Sequence, residues 1–100
     1  MARETIYDKN GNLIYLTDER WNHILEFHEE MINYKQHVLK TLRLGKRKQD
    51  PYDPSLYSYY HKFDDLEEGS NHIIVVVKFG FTKTYETNNF VLTAFQKLIY

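Results

Sequence analysis

HIIVVVKF, the stretch His72–Phe79, decides the fold class of this 100-residue chain. Ile73–Val77 is an unbroken run of β-branched residues, which fit the pleated surface of a sheet better than a helix. A run without polar alternation is typical of a strand that is covered on both faces. The sequence therefore predicts a central strand at His72–Phe79, with Gly80 as a bulge or a turn after it.

A second strand is predicted before the central one, at Leu56–Phe63. Strand alternation places Tyr60 and Lys62 on one face, next to Ser58, at a spacing of roughly 7 Å along the strand. The other face carries larger residues, namely Tyr57, Tyr59, His61 and Phe63. We expect this larger set to pack under helices, which leaves Tyr60 and Lys62 on the open side of the sheet.

Turn signals mark hairpins at both ends of the chain. Glu4–Tyr7 and Leu13–Leu16 alternate and flank Asn10-Gly11, and this dipeptide is the strongest short hairpin signal because both residues tolerate positive φ. Near the carboxyl end, Asn88-Asn89 predicts a turn into a final strand at Phe90–Phe95. Each end therefore contributes strands to the sheet.

Two helices are predicted between the hairpin and the second strand. Thr17 is suited to cap the first helix, since a threonine hydroxyl accepts from the free backbone N–H groups of the first turn. The residues at helical spacing after it form one apolar face that ends in a histidine: Trp21, Ile24, Leu25 and His28. The second helix runs from about Asn33 to Leu44, and Gly45 stops it.

The order ββααβββ predicts an α+β fold in one domain, residues 1–100. We expect a small, curved, antiparallel sheet with both helices packed on one side. Gly45–Ser55 is predicted to be a loop, because Asp50-Pro51 and Asp53-Pro54 are turn dipeptides.

Composition excludes several functional classes. The hydrophobic fraction of 42% is that of a folded domain, and the absence of cysteine rules out disulfides and thiolate metal sites. No apolar run approaches the roughly 20 residues of a membrane span, and the first residues lack a signal-peptide pattern, so we expect a cytoplasmic protein without a membrane partner. We find no metal-ligand motif, phosphate-binding glycine loop or serine nucleophile motif, and therefore expect no metal and no cofactor.

One region of the chain is basic although the net charge is only −1. Met31–Gln49 has no acidic residue, and Lys46, Arg47 and Lys48 lie next to its end. These three residues are predicted to bind the phosphates of RNA. The alternative is an ordinary solvated helix end and loop.

Four residues are candidates for acid–base chemistry without a metal: His28, Tyr60, Lys62 and Thr93. RNA supplies its own 2′-hydroxyl nucleophile, so cleavage needs one group that takes a proton, one that gives a proton, and donors that stabilise the charged phosphorus. Histidine suits proton transfer near neutral pH. For His28 the alternative is a histidine at the rim of the core that bonds to a backbone carbonyl. For Lys62 it is a lysine whose stem lies over an aromatic strand, and for Thr93 a β-branched residue that a strand tolerates.

Thr17–His28, which reads TDERWNHILEFH, resembles the T-x-E-R-W-x-H-I-x-x-x-H-P-E signature of the phage-associated barnase–EndoU–colicin–RelE-like (PBECR) nucleases. Val38–Leu42 is similar to the second helix of that family, and Asp53–Phe63 to its aromatic and basic strand. Ile74–Lys78 and Val91–Phe95 are similar to its last two core strands. Glu29 replaces the usual proline, and Phe95 replaces the usual tyrosine.

The resemblance implies a fold with helices on one side of a curved sheet, and metal-independent endoribonuclease activity of a toxin or phage effector. It implies catalytic roles for Arg20, His28, Tyr60, Lys62 and Thr93, and RNA binding by His23. RNA and an inhibitory protein, an antitoxin or immunity protein, are the implied partners. The alternative is a non-catalytic binding module for RNA or a protein. For catalysis we expect His28 within side-chain reach of Tyr60, Lys62 or Thr93.

Overall fold

The computed structural model describes residues 2–100; Met1, the first residue of the predicted domain, lies outside the described residues. Two helices and six strands form an α+β fold, which confirms the predicted fold class. In chain order the elements are β1 Arg3–Tyr7, β2 Leu13–Thr17, α1 Asp18–Phe27, α2 Lys35–Leu44, β3 Lys46–Gln49, β4 Leu56–Lys62, β5 His72–Lys78 and β6 Asn89–Lys97. A short 3₁₀ helix, Glu29–Met31, lies between α1 and α2.

The six strands form one sheet in the order β1-β2-β6-β5-β4-β3. The β-branched strand β5 lies between β6 and β4, so the prediction of a central strand is confirmed. The expectation of a purely antiparallel sheet is wrong, because β2 and β6 pair in parallel at Ile14–Asn89 and Tyr15–Phe90. The two helices and three strands separate β2 from β6 along the chain, so no hairpin forces the two strands to run in opposite directions.

The main core lies between one face of this sheet and the two helices. Trp21 and Ile24 of α1 and Val38 and Leu42 of α2 belong to the same buried cluster as the inward residues of β5. These inward residues are Ile73, Val75 and Val77, all fully buried. We call this side of the sheet the inner face and the opposite side the open face. Across residues 2–100, neither helix combines the length and the apolar character that crossing a bilayer requires.

Part of the predicted loop Gly45–Ser55 is a strand. Lys46–Gln49 forms β3 and pairs antiparallel with β4. Gly45 ends α2 in an extended conformation, and a Cβ atom there would clash with the backbone oxygens of Thr41 and Tyr60. Glycine therefore permits the helix end to lie directly against β4. The sequence did not predict this strand, because Lys46–Gln49 consists of four polar residues and so shows no alternation of apolar and polar positions.

The second correction concerns the connection between β5 and β6. The turn lies at Thr82–Glu86, where Tyr85 has a φ of 62°, and not at Asn88-Asn89. Asn89 instead begins β6 and is buried, because its side-chain amide donates to the carbonyl oxygen of Leu13 and accepts from the N–H of Gly80. The bulge expected near Gly80 lies farther back, where the register shifts between Val76 and Val77.

A buried hydrogen bond joins the β1–β2 turn to the far side of the sheet. The hydroxyl of Tyr59 in β4 donates to Asp8 Oδ2 at 2.5 Å, and the other oxygen of Asp8 accepts from the backbone of Asn10 and Asn12. Both side chains are buried. Because β1 is at one edge of the sheet and β4 is next to the other edge, this contact requires the sheet to curve.

The surroundings of this pair shift the pKa of both groups. Burial alone would raise the pKa of Asp8, but hydrogen bonds from Tyr59, Asn12 and Asn10 outweigh burial and hold it below its ordinary value. Burial, reinforced by the hydrogen bond to Asp8 and its charge, raises the pKa of Tyr59 above its ordinary range. The folded state thus favours the carboxylate and the neutral phenol.

We expect Tyr59→Phe to lower the free energy of unfolding by about 1.5–3 kcal/mol at pH 7, the usual contribution of a hydrogen bond to a charged group. Asp8 contributes stability above its ordinary pKa, near pH 4, and Tyr59 contributes below its ordinary pKa, near pH 10. The difference between wild type and variant should therefore narrow below about pH 4, as Asp8 protonates. Urea unfolding followed by circular dichroism at several pH values measures this difference in the free energy of unfolding.

Tyr52→Phe is the matched control, since Tyr52 is 95% exposed. Equal stability of Tyr59→Phe and Tyr52→Phe at pH 7 would contradict the role given to the buried pair.

Candidate nucleic-acid interface

The open face of strands β3 to β6 consists of residues whose position follows from the register. Residues that pair directly on adjacent strands share a face. The open-face positions form three rows across the strands: Lys62, His72 and Lys97; then Lys46, Tyr60, Ile74 and Phe95; then Lys48, Ser58, Val76 and Thr93. A fourth row, at the other end of these strands, comprises Leu56, Lys78 and Phe90. None of these strand positions carries a carboxylate.

The middle of this face is apolar. Ile74 is only 9% exposed although it lies outside the main core cluster, and its neighbours across the strands are Tyr60 and Phe95. Val76 beside it is half-buried. The central strand is thus covered on the inner face by helices and on the open face only by neighbouring side chains. The result is an apolar floor with basic residues around it.

Helix α1 forms one wall of the open face. Thr17 Oγ1 caps the helix by accepting from the N–H of Arg20 at 3.0 Å, as predicted. After Phe90 no β2 residue pairs with β6, and α1 takes that place: Arg20 Nη1 lies 3.5 Å from the carbonyl oxygen of Leu92, at the bulge. The helix follows directly from β2, so its cap fixes which side chains face β6.

Arg20 and His23 line a cleft of about 630 Å³ at this wall, together with Tyr15, Thr17 and Phe90. Glu19 and Glu26 also line the cleft, so its charge is mixed. His23 Nδ1 lies 4.0 Å from Glu26 Oε2, and its ring contacts the ring of Phe27. Arg20 and His23, both predicted from the resemblance, therefore line the same cleft. Lys62, on β4, does not line it.

His28 lies immediately after α1, next to the apolar floor. Its ring centroid is 5.7 Å from that of Phe95, and its Nδ1 is 3.5 Å from Glu30 Oε1. Within residues 2–100, its hydrogen-bonding and ring contacts include none to Tyr60, Lys62 or Thr93. The register separates Phe95 from Tyr60 by two strand spacings, about 10 Å. Tyr60, Lys62 and Thr93 therefore share one face of the sheet, and His28 and Tyr60 lie on opposite sides of its floor.

Strand alternation divides the predicted basic group. Lys46 pairs with Tyr60 and Lys48 with Ser58, so both lysines lie on the open face. Arg47 pairs with Tyr59 on the inner face, and its guanidinium lies 4.4 Å from the ring centroid of Tyr57. The sequence treated these three residues as one loop, in which no alternation is expected. As a strand, they alternate, so the backbone directs Arg47 to the face opposite Lys46 and Lys48.

His72 is a site residue that the sequence analysis did not select. It occupies the open-face row between Lys62 and Lys97, and its Nδ1 lies 2.7 Å from Asn71 Oδ1. The signal that places it on this face is the alternation of β5 in register with β4, which requires knowledge of the pairing. The hydrophobic run after His72 predicts the strand but not which face the histidine takes.

No protein-family model, curated protein or solved structure matches this chain. Nor do residues 2–100 bring three or more histidine or acidic side chains together in a group able to hold a metal ion. The candidate site therefore rests on its own geometry: an apolar and aromatic floor, lysines on the surrounding strand positions, and imidazoles at its margin.

We expect Lys46→Ala with Lys48→Ala to reduce the salt dependence of RNA affinity, because each phosphate contact on a single strand contributes about 0.7 to the slope of log affinity against log salt. Loss of two contacts should lower the slope by about 1.4. Fluorescence anisotropy with a single-stranded oligoribonucleotide at several salt concentrations measures this change.

Arg47→Ala is the matched control. It should leave the salt slope unchanged and lower the free energy of unfolding by about 0.5–1 kcal/mol, the usual contribution of a cation–π contact. If Arg47→Ala flattens the slope as much as the lysine pair does, the assignment of the open face as the binding surface is wrong.

Proposed function

We propose that this chain is a metal-independent endoribonuclease that binds single-stranded RNA on the open face. The observation that carries the proposal is the composition of that face: aromatic and apolar residues at its centre, cationic residues at its margins, and no carboxylate at a strand position of β3–β6. The cationic residues are Lys46, Lys48, Lys62 and Lys97, together with Lys78, whose Nζ lies 3.4 Å from Asp53 Oδ2.

A face of this kind matches the needs of a single strand. Lysines on neighbouring strands attract successive phosphates, and the rings of Tyr60 and Phe95 offer surfaces on which unpaired bases stack. In duplex RNA the bases are already paired and stacked. A duplex would therefore contact the lysines but could not stack its bases on the rings of Tyr60 and Phe95. The side chains of α1 and β3 border the floor on two sides.

Cleavage requires that the 2′-oxygen attack the neighbouring phosphorus while the bond from phosphorus to the 5′-oxygen breaks. The proton of the 2′-hydroxyl passes to a base, and an acid supplies a proton to the departing 5′-oxygen. In this proposal His28, beside Phe95, takes part in proton transfer. Lys62 stabilises the negative charge that develops on the phosphoryl oxygens, and Arg20, at the wall formed by α1, binds a different phosphate of the same RNA. Tyr60 and Thr93 position the sugar and phosphate through their hydroxyl groups.

The resemblance of Thr17–His28 to the PBECR nucleases supports the same function. Its two departures have structural consequences. Glu29 begins a 3₁₀ helix that leads into Met31, which is fully buried, so the chain leaves His28 toward the core without the proline. Phe95 places a ring against His28 where the family has a hydroxyl group. An inhibitory protein partner, in this proposal, covers the open face with acidic side chains.

A non-catalytic binding module is the second candidate. The absence of a polar contact between His28 and Tyr60 or Lys62 favours it, as does the missing hydroxyl at Phe95. Such a module would use the same lysines and rings to hold RNA or a protein. The nuclease and the binding module would therefore use the same surface, and they differ in whether the bound RNA is cleaved.

Purified protein should cleave single-stranded RNA in the presence of EDTA and leave 2′,3′-cyclic phosphate ends. A substrate with a single 2′-deoxy sugar at the cut site should resist cleavage, because it lacks the nucleophile. His28→Ala should lower the rate by about 10²–10⁴-fold, the usual contribution of a positioned acid or base. Gel electrophoresis of end-labelled RNA gives both the rate and the end chemistry.

His37→Ala is the matched control, since His37 lies on α2 on the other side of the sheet and contacts Asp65. It should cleave at the wild-type rate. RNA that binds with the expected salt dependence but stays intact would reject the nuclease and leave the binding module. A folded His28→Ala protein with full activity would remove His28 from the site.

A further inference from the structure

The side chain of Asn71 has an orientation that its neighbours fix. Its Nδ2 donates to the carbonyl oxygen of Ile99 at 2.7 Å, and its Oδ1 accepts from the N–H of Ile99 at 2.8 Å. A backbone N–H is only a donor and a carbonyl oxygen only an acceptor. The amide of Asn71 therefore cannot be turned round without losing both bonds.

This orientation determines which nitrogen of His72 carries a proton. His72 Nδ1 lies 2.7 Å from Asn71 Oδ1, which is an acceptor. Nδ1 must then be the donor, so the neutral ring carries its hydrogen on Nδ1 and a free lone pair on Nε2. An imidazole held in this tautomer by a second side chain is prepared to accept a proton at Nε2.

The position of His72 on the sheet suits the same task. The register places it on the open face between Lys62 of β4 and Lys97 of β6. His72 lies two residues before Ile74 on β5, in the adjacent open-face row, and Ile74 forms the floor between Tyr60 and Phe95. His72 and His28 therefore both border the floor near Phe95, from β5 and from the end of α1 respectively.

We propose that His72 is a catalytic residue: its Nε2 takes the proton from the 2′-hydroxyl of RNA, and Asn71 is the positioning residue that keeps this nitrogen free. The inference rests on the proposed ribonuclease function and assigns its base. As the 2′-oxygen bonds to phosphorus, its proton moves to Nε2, the bond to the 5′-oxygen breaks, and that oxygen takes a proton from His28. Lys62 and Lys97 flank the phosphate.

Nitrogen NMR of the uniformly ¹⁵N-labelled protein tests the tautomer without any substrate. At a pH where His72 is neutral, long-range proton–nitrogen correlations should show a protonated Nδ1 and an unprotonated Nε2 in the ring of His72. In Asn71→Ala the fixed acceptor is absent, and the ring should shift toward the Nε2–H form that predominates in free histidine. A wild-type His72 in the Nε2–H form overturns the proposal.

Single-turnover cleavage tests the chemical role. His72→Ala should cut RNA about 10²–10⁴-fold more slowly than wild type, while its affinity for an uncleavable 2′-deoxy analogue changes only a few-fold. Added imidazole should restore part of the lost rate, which a purely structural role for His72 does not predict. His61→Ala is the control, because His61 lies on the adjacent strand and pairs with Ile73 on the inner face.

The outcomes separate this inference from the proposed function. If wild type cuts RNA and a folded His72→Ala protein cuts equally fast, His72 is not the base, and the ribonuclease proposal stands. If His72→Ala is slow but imidazole restores nothing and analogue binding falls in proportion, His72 serves binding and the assignment as base is overturned. If wild type itself leaves RNA intact, both proposals fall.

Discussion

Strand β5 hydrogen-bonds to β4 along one edge and to β6 along the other, and the position of each open-face residue depends on this double pairing. Because side chains alternate along a strand, a shift of one residue would move Tyr60 and Lys62 to the inner face. The buried Tyr59 of β4 opposes such a shift, since the shift would turn its side chain away from the core and break its hydrogen bond to Asp8. The core therefore fixes the register, and the register arranges the site.

The same arrangement separates the functions of the two faces. Large aromatic residues of β4 pack inward, where Tyr59 bonds to Asp8 and anchors the β1–β2 turn. On the open face, the side chains of Tyr60 and Phe95 flank Ile74 on the adjacent strands. Stability thus depends mostly on the inner face, whereas the RNA binding that we propose uses the open face. Substitutions of open-face lysines are for this reason informative about binding, with little effect on folding.

The imidazoles at the margin differ in how they are held. His72 is oriented by Asn71, whose amide is itself fixed by the backbone of Ile99. His28 follows the end of α1 and lies between a ring and the carboxylate of Glu30. The neighbours of His72 thus fix its tautomer, whereas the contacts of His28 fix only its position beside the floor. This difference is the basis for giving them different parts in proton transfer.

The sequence by itself determined the local elements: the β-branched run gave the central strand, Asn10-Gly11 the first hairpin, and Thr17 the start of α1. Alternation also placed Tyr60 and Lys62 on one face, since that pattern requires only neighbouring residues. Tertiary structure alone decided the parallel pairing of β2 with β6, the strand at Lys46–Gln49 that turns Arg47 inward, and the place of His72 in a lysine row. These depend on hydrogen bonds between segments far apart in the chain, for which periodicity carries no signal.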